Sequence, residues 1–224
     1  MLELKRVGSV FILRLDAGEN RFEPGLLDPL GAALDEVERA GSPCALVTTG
    51  TERFYSNGLD TRWMRAHEDE VAAYLGRVLA LIARVLTFPT ITVAAVNGHA
   101  FGAGGQLVVA HDFAVMRRGR GYWCMPEIDM PAPLHPGMTA LLQARLPMRT
   151  VHESLVTGKR YTAEEAAARQ IVDEVADEAD VLPRALEIAS GLAGKAHPIM
   201  SVLKRGMYAD ALAKLALPWE RRRA

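Results

Sequence analysis

The segment Thr90–Leu107, TITVAAVNGHAFGAGGQL, constrains this chain more than any other. Ile91–Val96 is an unbroken apolar run rich in β-branched residues, the pattern of a buried strand. Asn97-Gly98 is a turn pair that ends it. Gly102, Gly104 and Gly105 then surround Ala103, and an apolar stretch suited to a helix follows at Gln106–Ala110. Glycines at such a place let bare backbone come close to a ligand. The unpaired N–H groups at the helix start then face whatever negative charge the ligand carries. The segment can build a corner that binds an oxyanion or a phosphate.

Three common glycine motifs do not fit it. A dinucleotide fingerprint needs a glycine where Leu107 stands, and a P-loop needs Gly-Lys-Ser/Thr, which does not follow. A nucleophile elbow needs a serine where Ala103 stands. Four stretches, taken in order, point elsewhere: Phe54-Tyr55-Ser56-Asn57-Gly58-Leu59-Asp60, Asn97–Gly105, Met125-Pro126-Glu127-Ile128, and Thr157–Ala166. Together they resemble the crotonase family, the enoyl-CoA hydratases and isomerases, over about residues 1 to 210. Within that resemblance the Gln106 and Glu127 pattern is closest to the Δ3,Δ2-enoyl-CoA isomerases.

The resemblance implies an α/β fold, a crotonase-like ββα spiral core over residues 1–148, with a C-terminal helical trimerisation region over 149–224. It implies an acyl-CoA thioester as substrate, no separate cofactor because coenzyme A is part of that substrate, and a homotrimer or hexamer. By the same resemblance the backbone N–H groups of Leu59 and Ala103 hold the thioester oxygen. Glu127 is the base, and Arg21 and Arg62 stand where relatives place cations for the CoA phosphates. Ser56, Gly58, Gly102 and Gly104 belong to the two oxyanion segments, and Gln106 and His135 border the acyl group.

Some of these positions also stand on their own chemistry. Ala103 lies among glycines at a helix start. Glu127 sits between Met125-Pro126 and Ile128, and apolar surroundings raise a carboxyl pKa toward the range that suits a general base. A solvated loop glutamate is the ordinary alternative. Gln106 takes the place of the first of two glutamates that hydratases of the family resemble in sharing a water, and an amide neither takes nor delivers a proton. One base suffices to move a proton from C2 to C4 of a 3-enoyl thioester. Hydration, another enolate reaction, or a silent acyl-CoA binder remain as alternatives on one scaffold. His135 lies eight residues past Glu127, between Pro133 and Pro136; a pocket role and a structural role both fit. His99 and His111 lack partners at metal-ligand spacing, so no metal site is expected.

Composition narrows the partners. A formal net charge of −1 across 224 residues gives no global field for nucleic acid or an anionic membrane. No apolar run is long enough to span a bilayer. Cys44 and Cys124 form no CxxC pair, so no disulfide framework is expected and a cytoplasmic location follows as the default. The alternating start, MLELKRVGSVFILRL, reads as a strand pair and not as a signal peptide.

The periodicities predict a hairpin over Leu2–Val7 and Val10–Leu15, helices over Leu26–Ala40, Arg62–Ala66 and Val71–Val85, and strands over Cys44–Thr49, Ile91–Val96, Phe113–Met116 and Tyr122–Met125. Gly50–Asp60 reads as loop. Residues from Gly137 on read as mostly helical, with a capping box at Thr162 and Glu165 and last helices over Leu182–Leu192 and His197–Leu215. Asp60 is expected to cap the short helix after it. Arg117, Arg118 and Arg120 read as a solvated strand end, and Arg221-Arg222-Arg223 as a frayed tail.

Overall fold

Alternation and a turn glycine open the fold. Strands β1 (Leu2–Val7) and β2 (Val10–Leu15) pair antiparallel about Gly8-Ser9. The computed structural model describes residues 1–130 and 132–219 of the chain, so the arginines at 221–223 lie outside the described residues. Helix α1 (Pro24–Arg39) follows, with Leu26, Leu27, Leu30, Leu34 and Val37 on one buried face. The chain then makes three similar turns. The first is β3 (Ala45–Thr49), β4 (Phe54–Ser56), and helices α2 (Thr61–Ala66) and α3 (Val71–Leu86). The second is β5 (Ile91–Val96), β6 (His99–Phe101) and α4 (Ala103–Ala110). The third is β7 (Phe113–Arg117), β8 (Trp123–Cys124) and α5 (Pro136–Arg145).

In every turn the first strand joins a large sheet and the second a small one. The large sheet runs β1-β2-β3-β5-β7-β9 and the small one β4-β6-β8. Among the described residues, every pairing between these strands after the first hairpin is parallel. This is the expected ββα spiral. A parallel sheet must be covered on both faces. Leu13, Leu46, Ala94, Val96 and Met116 face α1, α3 and α4. Val10, Val47, Val93, Ala95 and Val115 face α8 (Val181–Leu192), through Val181, Ala185 and Ala189.

Four features differ from the sequence expectation. The loop expected over Gly50–Asp60 contains β4, and the glycine corner contains β6. These three-residue strands exist only because each finds a parallel partner from another turn of the spiral. The tail contributes β9 (Glu174–Ala176), which pairs with β7 at the edge of the large sheet. The helix expected over His197–Leu215 is two, α9 (Pro198–Met207) and α10 (Ala209–Leu215). They part at Tyr208, which leaves helical geometry while its hydroxyl accepts from the Arg145 guanidinium at 2.9 Å.

Between α5 and β9 lie α6 (Met148–Thr157) and α7 (Ala163–Ala168). The predicted capping box is present at the start of α7. Glu165 N–H donates to Thr162 Oγ1 at 3.3 Å, and Thr162 N–H donates to the Glu165 carboxylate at 3.0 Å. Thr162→Ala removes one arm of it and is expected to cost about 1 kcal/mol, read as a lower urea midpoint at unchanged m-value. Asp60 caps α2 as expected, accepting from Arg62 N and Trp63 N. Arg117 pairs with Glu178, and Arg118 with Glu164 and Asp177. Among the described residues no helix is long and apolar enough to cross a membrane.

Candidate active site

The small sheet aims two backbone segments at one point. β4 leads into Asn57-Gly58-Leu59, and β6 leads into Gly102 and the first turn of α4. They touch at Gly58, whose φ is +76°. A Cβ built there would lie 2.9 Å from Ala103 N and 2.6 Å from Phe101 O. Only glycine combines that conformation with that approach. Gly104, one residue beyond Ala103, packs against the Ser56 backbone just as closely. Ala103 is the first residue of α4, so its N–H has no partner within the helix. Among the described residues neither it nor the Leu59 N–H donates to any protein acceptor. Free N–H groups at two abutting segments are the equipment for holding a developing oxyanion.

The carboxylate of Glu127 lies beside them. Its Oε1 is 3.6 Å from the place a Cβ on Gly102 would occupy. Glu127 follows β8, and its own carbonyl accepts from Ala132 N at 3.0 Å, which folds the chain back over it. Oε2 is buried and has no hydrogen-bond partner. Burial destabilises the ionised form by more than a hydrogen bond from its own backbone N–H steadies it, so the pKa rises from 4.5 to about 7.

Gln106 sits in the first turns of α4 with no exposed surface. Its Nε2 reaches only Met125 Sδ at 4.0 Å, and its Oε1 is buried without a partner. Two orphaned oxygens, on Gln106 and Glu127, thus belong to residues flanking the same corner. A buried acceptor left unmade costs about 1–3 kcal/mol, a cost that a bound group with a hydrogen to give would remove.

The other predicted residues are spread around this centre. Ser56 is buried, donates to Asn20 O at 2.7 Å, and accepts from Gly58 N at 3.2 Å. Arg21 is half-buried, donates to Leu59 O at 3.1 Å and pairs with Glu19 at 2.6 Å. Arg62 is exposed on α2, near enough to Glu19 to help lower its pKa. His135 is buried and caps α5: its Nδ1 accepts from Gly137 N at 3.1 Å, and its Nε2 lies 3.2 Å from Leu217 O. Its ring stacks on Trp219 and lines a small cavity with Pro133, Leu134, Pro136 and Leu217. Trp123 is fully buried, and its indole N–H holds Gly105 O at 3.0 Å. His111 is buried at the end of α4; desolvation lowers its pKa to about 4. Its Nδ1 meets Leu107 O at 2.7 Å and its Nε2 meets Thr48 Oγ1 at 2.9 Å. No three His, Cys, Asp or Glu side chains come together as a metal site among the described residues.

Comparison with known proteins agrees with this architecture. The family model for enoyl-CoA hydratase/isomerase matches residues 6–221. The chain is 30% identical to the peroxisomal enoyl-CoA delta isomerase 2 of Arabidopsis thaliana, over 97% of this chain and 96% of that protein. It is 31% identical to a carnitinyl-CoA dehydratase of Salmonella enteritidis, over 71% of this chain and 61% of that protein. The apo structure of an enoyl-CoA isomerase from Mycobacterium tuberculosis superposes with a TM-score of 0.88 at 26% identity, covering 96% of this chain and 93% of that one. With two free amides and a buried carboxylate on a ββα spiral, and a match across nearly its whole length, this chain belongs to the enoyl-CoA hydratase/isomerase family.

Proposed function

We propose that this chain is a Δ3,Δ2-enoyl-CoA isomerase with Glu127 as its single acid–base group. The observation that carries the reading is the pairing of one buried carboxylate, Glu127, whose Oε2 has no partner, with an amide at Gln106. Its similarity to enoyl-CoA delta isomerases over nearly the full length supports the same choice.

The Glu127 carboxylate takes a proton from C2 of a 3-enoyl thioester. The C–H electron pair becomes the C1–C2 double bond, and the thioester oxygen gains the negative charge. The N–H groups of Leu59 and Ala103 hold that oxygen; losing one such donor typically costs about 10²–10³ in rate. The protonated Glu127 then returns its proton to C4. The electrons move back, the C3–C4 double bond becomes C2–C3, and the thioester carbonyl is restored. Gln106 leaves no second base to activate water. Arg21 and Arg62 serve the CoA phosphates, and the cavity at His135 and Trp219 serves the acyl end.

The assembly is a trimer, alone or doubled. α9 presents Ile199, Val202, Leu203 and Met207, each at least half exposed, on one side. An apolar stripe of that kind on the tail fits packing between copies.

Purified protein given 3-hexenoyl-CoA and crotonyl-CoA tests the reaction. The expected result is growth of conjugated-thioester absorbance from the first and little loss from the second. Faster loss from crotonyl-CoA makes the protein a hydratase. No change with either ester, while both bind, makes it a silent binder.

A further inference from the structure

The loop between β2 and α1 supplies no reacting group, yet it is tied to the Leu59 segment by more bonds than a surface loop needs. Asn20 lies at its centre, fully buried, with φ of +51°. Its Nδ2 donates to Leu15 O at 3.2 Å, Phe54 O at 3.1 Å and Tyr55 O at 3.2 Å. Its Oδ1 accepts from Ala17 N at 2.8 Å, and its carbonyl accepts from Ser56 Oγ. One side chain therefore joins β2, the loop and β4, using both faces of its amide.

The residues beside it complete the brace. Asn57 N–H donates to Glu19 O at 2.9 Å, and Phe22 N–H donates to Gly58 O at 2.8 Å. The latter bond matters most. Gly58 C=O and Leu59 N–H belong to one planar peptide and point in opposite directions. Holding the carbonyl on Phe22 fixes the direction of the Leu59 N–H. A glycine at φ of +76° on one side of that peptide leaves it free to rotate without such a hold.

We propose that Asn20 is a positioning residue: by locking the 17–22 loop onto β4 it keeps the Gly58–Leu59 peptide turned so that the Leu59 N–H meets the thioester oxygen. This rests on the isomerase reading only for the identity of that oxygen. Asn20 touches no substrate and acts through Phe22 and Ser56.

The test uses Asn20→Gly, which keeps a residue at ease with positive φ, and Ser56→Ala, which deletes the Oγ bond to Asn20 O together with the one from Gly58 N and leaves the Asn20 side chain in place. The probe is 4-(dimethylamino)cinnamoyl-CoA, whose absorption moves to the red when its carbonyl is polarised by hydrogen bonds. Asn20→Gly is expected to bind the ester within about threefold of wild type, to lose much of the red shift, and to lower kcat about 10²-fold with little change in KM. Should that variant fail to fold, Ser56→Ala decides, with a partial loss of the shift and kcat down roughly tenfold. A full red shift and unchanged kcat per folded molecule in the folded variant overturn the role of Asn20. A wild-type protein that binds the probe without any red shift overturns the oxyanion reading itself, and this role with it.

Discussion

Glu127→Gln is expected to lower kcat for 3-hexenoyl-CoA by about 10⁴-fold while the protein keeps its affinity for the ester. In the proposed reaction the same carboxylate both takes and returns the proton, so an isosteric amide removes both steps at once. The amides proposed to hold the thioester oxygen are untouched, and binding is expected to persist. In wild type, kcat/KM is expected to rise tenfold per pH unit and level off near pH 7, because the free enzyme must hold Glu127 ionised and its pKa is about 7. A profile flat from pH 5 to 9 contradicts Glu127 as the base.

The same substitution should make the protein more stable at alkaline pH. Burial raises the folded-state pKa from 4.5 to about 7. Between those values the native state holds a proton that the unfolded chain has released. Stability therefore falls as pH rises through that window. Above about pH 8 the native protein carries the full cost of the buried charge, on the order of 3 kcal/mol. Gln at 127 carries no such cost. Its urea midpoint should exceed that of wild type at pH 8 and match it near pH 4. Lost turnover with gained stability is the signature of a group held in a setting that serves chemistry and not folding.

What the sequence announces is what period and burial impose together. The helices α1 and α3 and the strands β2, β3, β5 and β7 carry long apolar patterns, and each lies within a residue or two of where periodicity puts it. β4, β6 and β9 have three residues each. They are too short to show alternation, and pairing from distant turns of the chain creates them. In the candidate site, Ala103 is legible from local chemistry, as a residue among glycines at a helix start, whereas Glu127 has apolar neighbours but stands out from a solvated loop glutamate only through the Met125–Ile128 resemblance. Leu59 is not, since Ser56-Asn57-Gly58 looks like any turn until β6 is laid beside it. Arg21 is placed by resemblance as a cation for the CoA phosphates, and its bonds to Leu59 O and Glu19 have no signal in the sequence. Asn20 has no local signal. Its burial follows from three carbonyls that converge only after β2 and β4 are in place.

Glycine replacement on two helices should act with opposite sign, and the contrast isolates what the corner requires. Gly76 lies in α3, exposed, with nothing within 4 Å of a built Cβ. Gly76→Ala should stabilise by about 0.5–1 kcal/mol through helix propensity and leave turnover alone. Gly104 is also helical, so propensity favours alanine there too. Its Cβ, however, would lie 2.8 Å from the Ser56 carbonyl carbon and closer still to the oxygen. The obstacle is backbone and cannot swing aside. Overpacking of this kind costs about 1–3 kcal/mol, which outweighs the propensity gain. Relief requires α4 and β4 to separate, carrying Ala103 N away from Leu59. A displacement near 1 Å is worth about 10²-fold in rate, and full loss of one oxyanion donor about 10²–10³. Gly104→Ala is therefore expected to lower kcat by at least about 10²-fold together with a reduced melting temperature. A Gly104→Ala protein with wild-type kcat would mean that the Ala103 amide does not stabilise the charged intermediate.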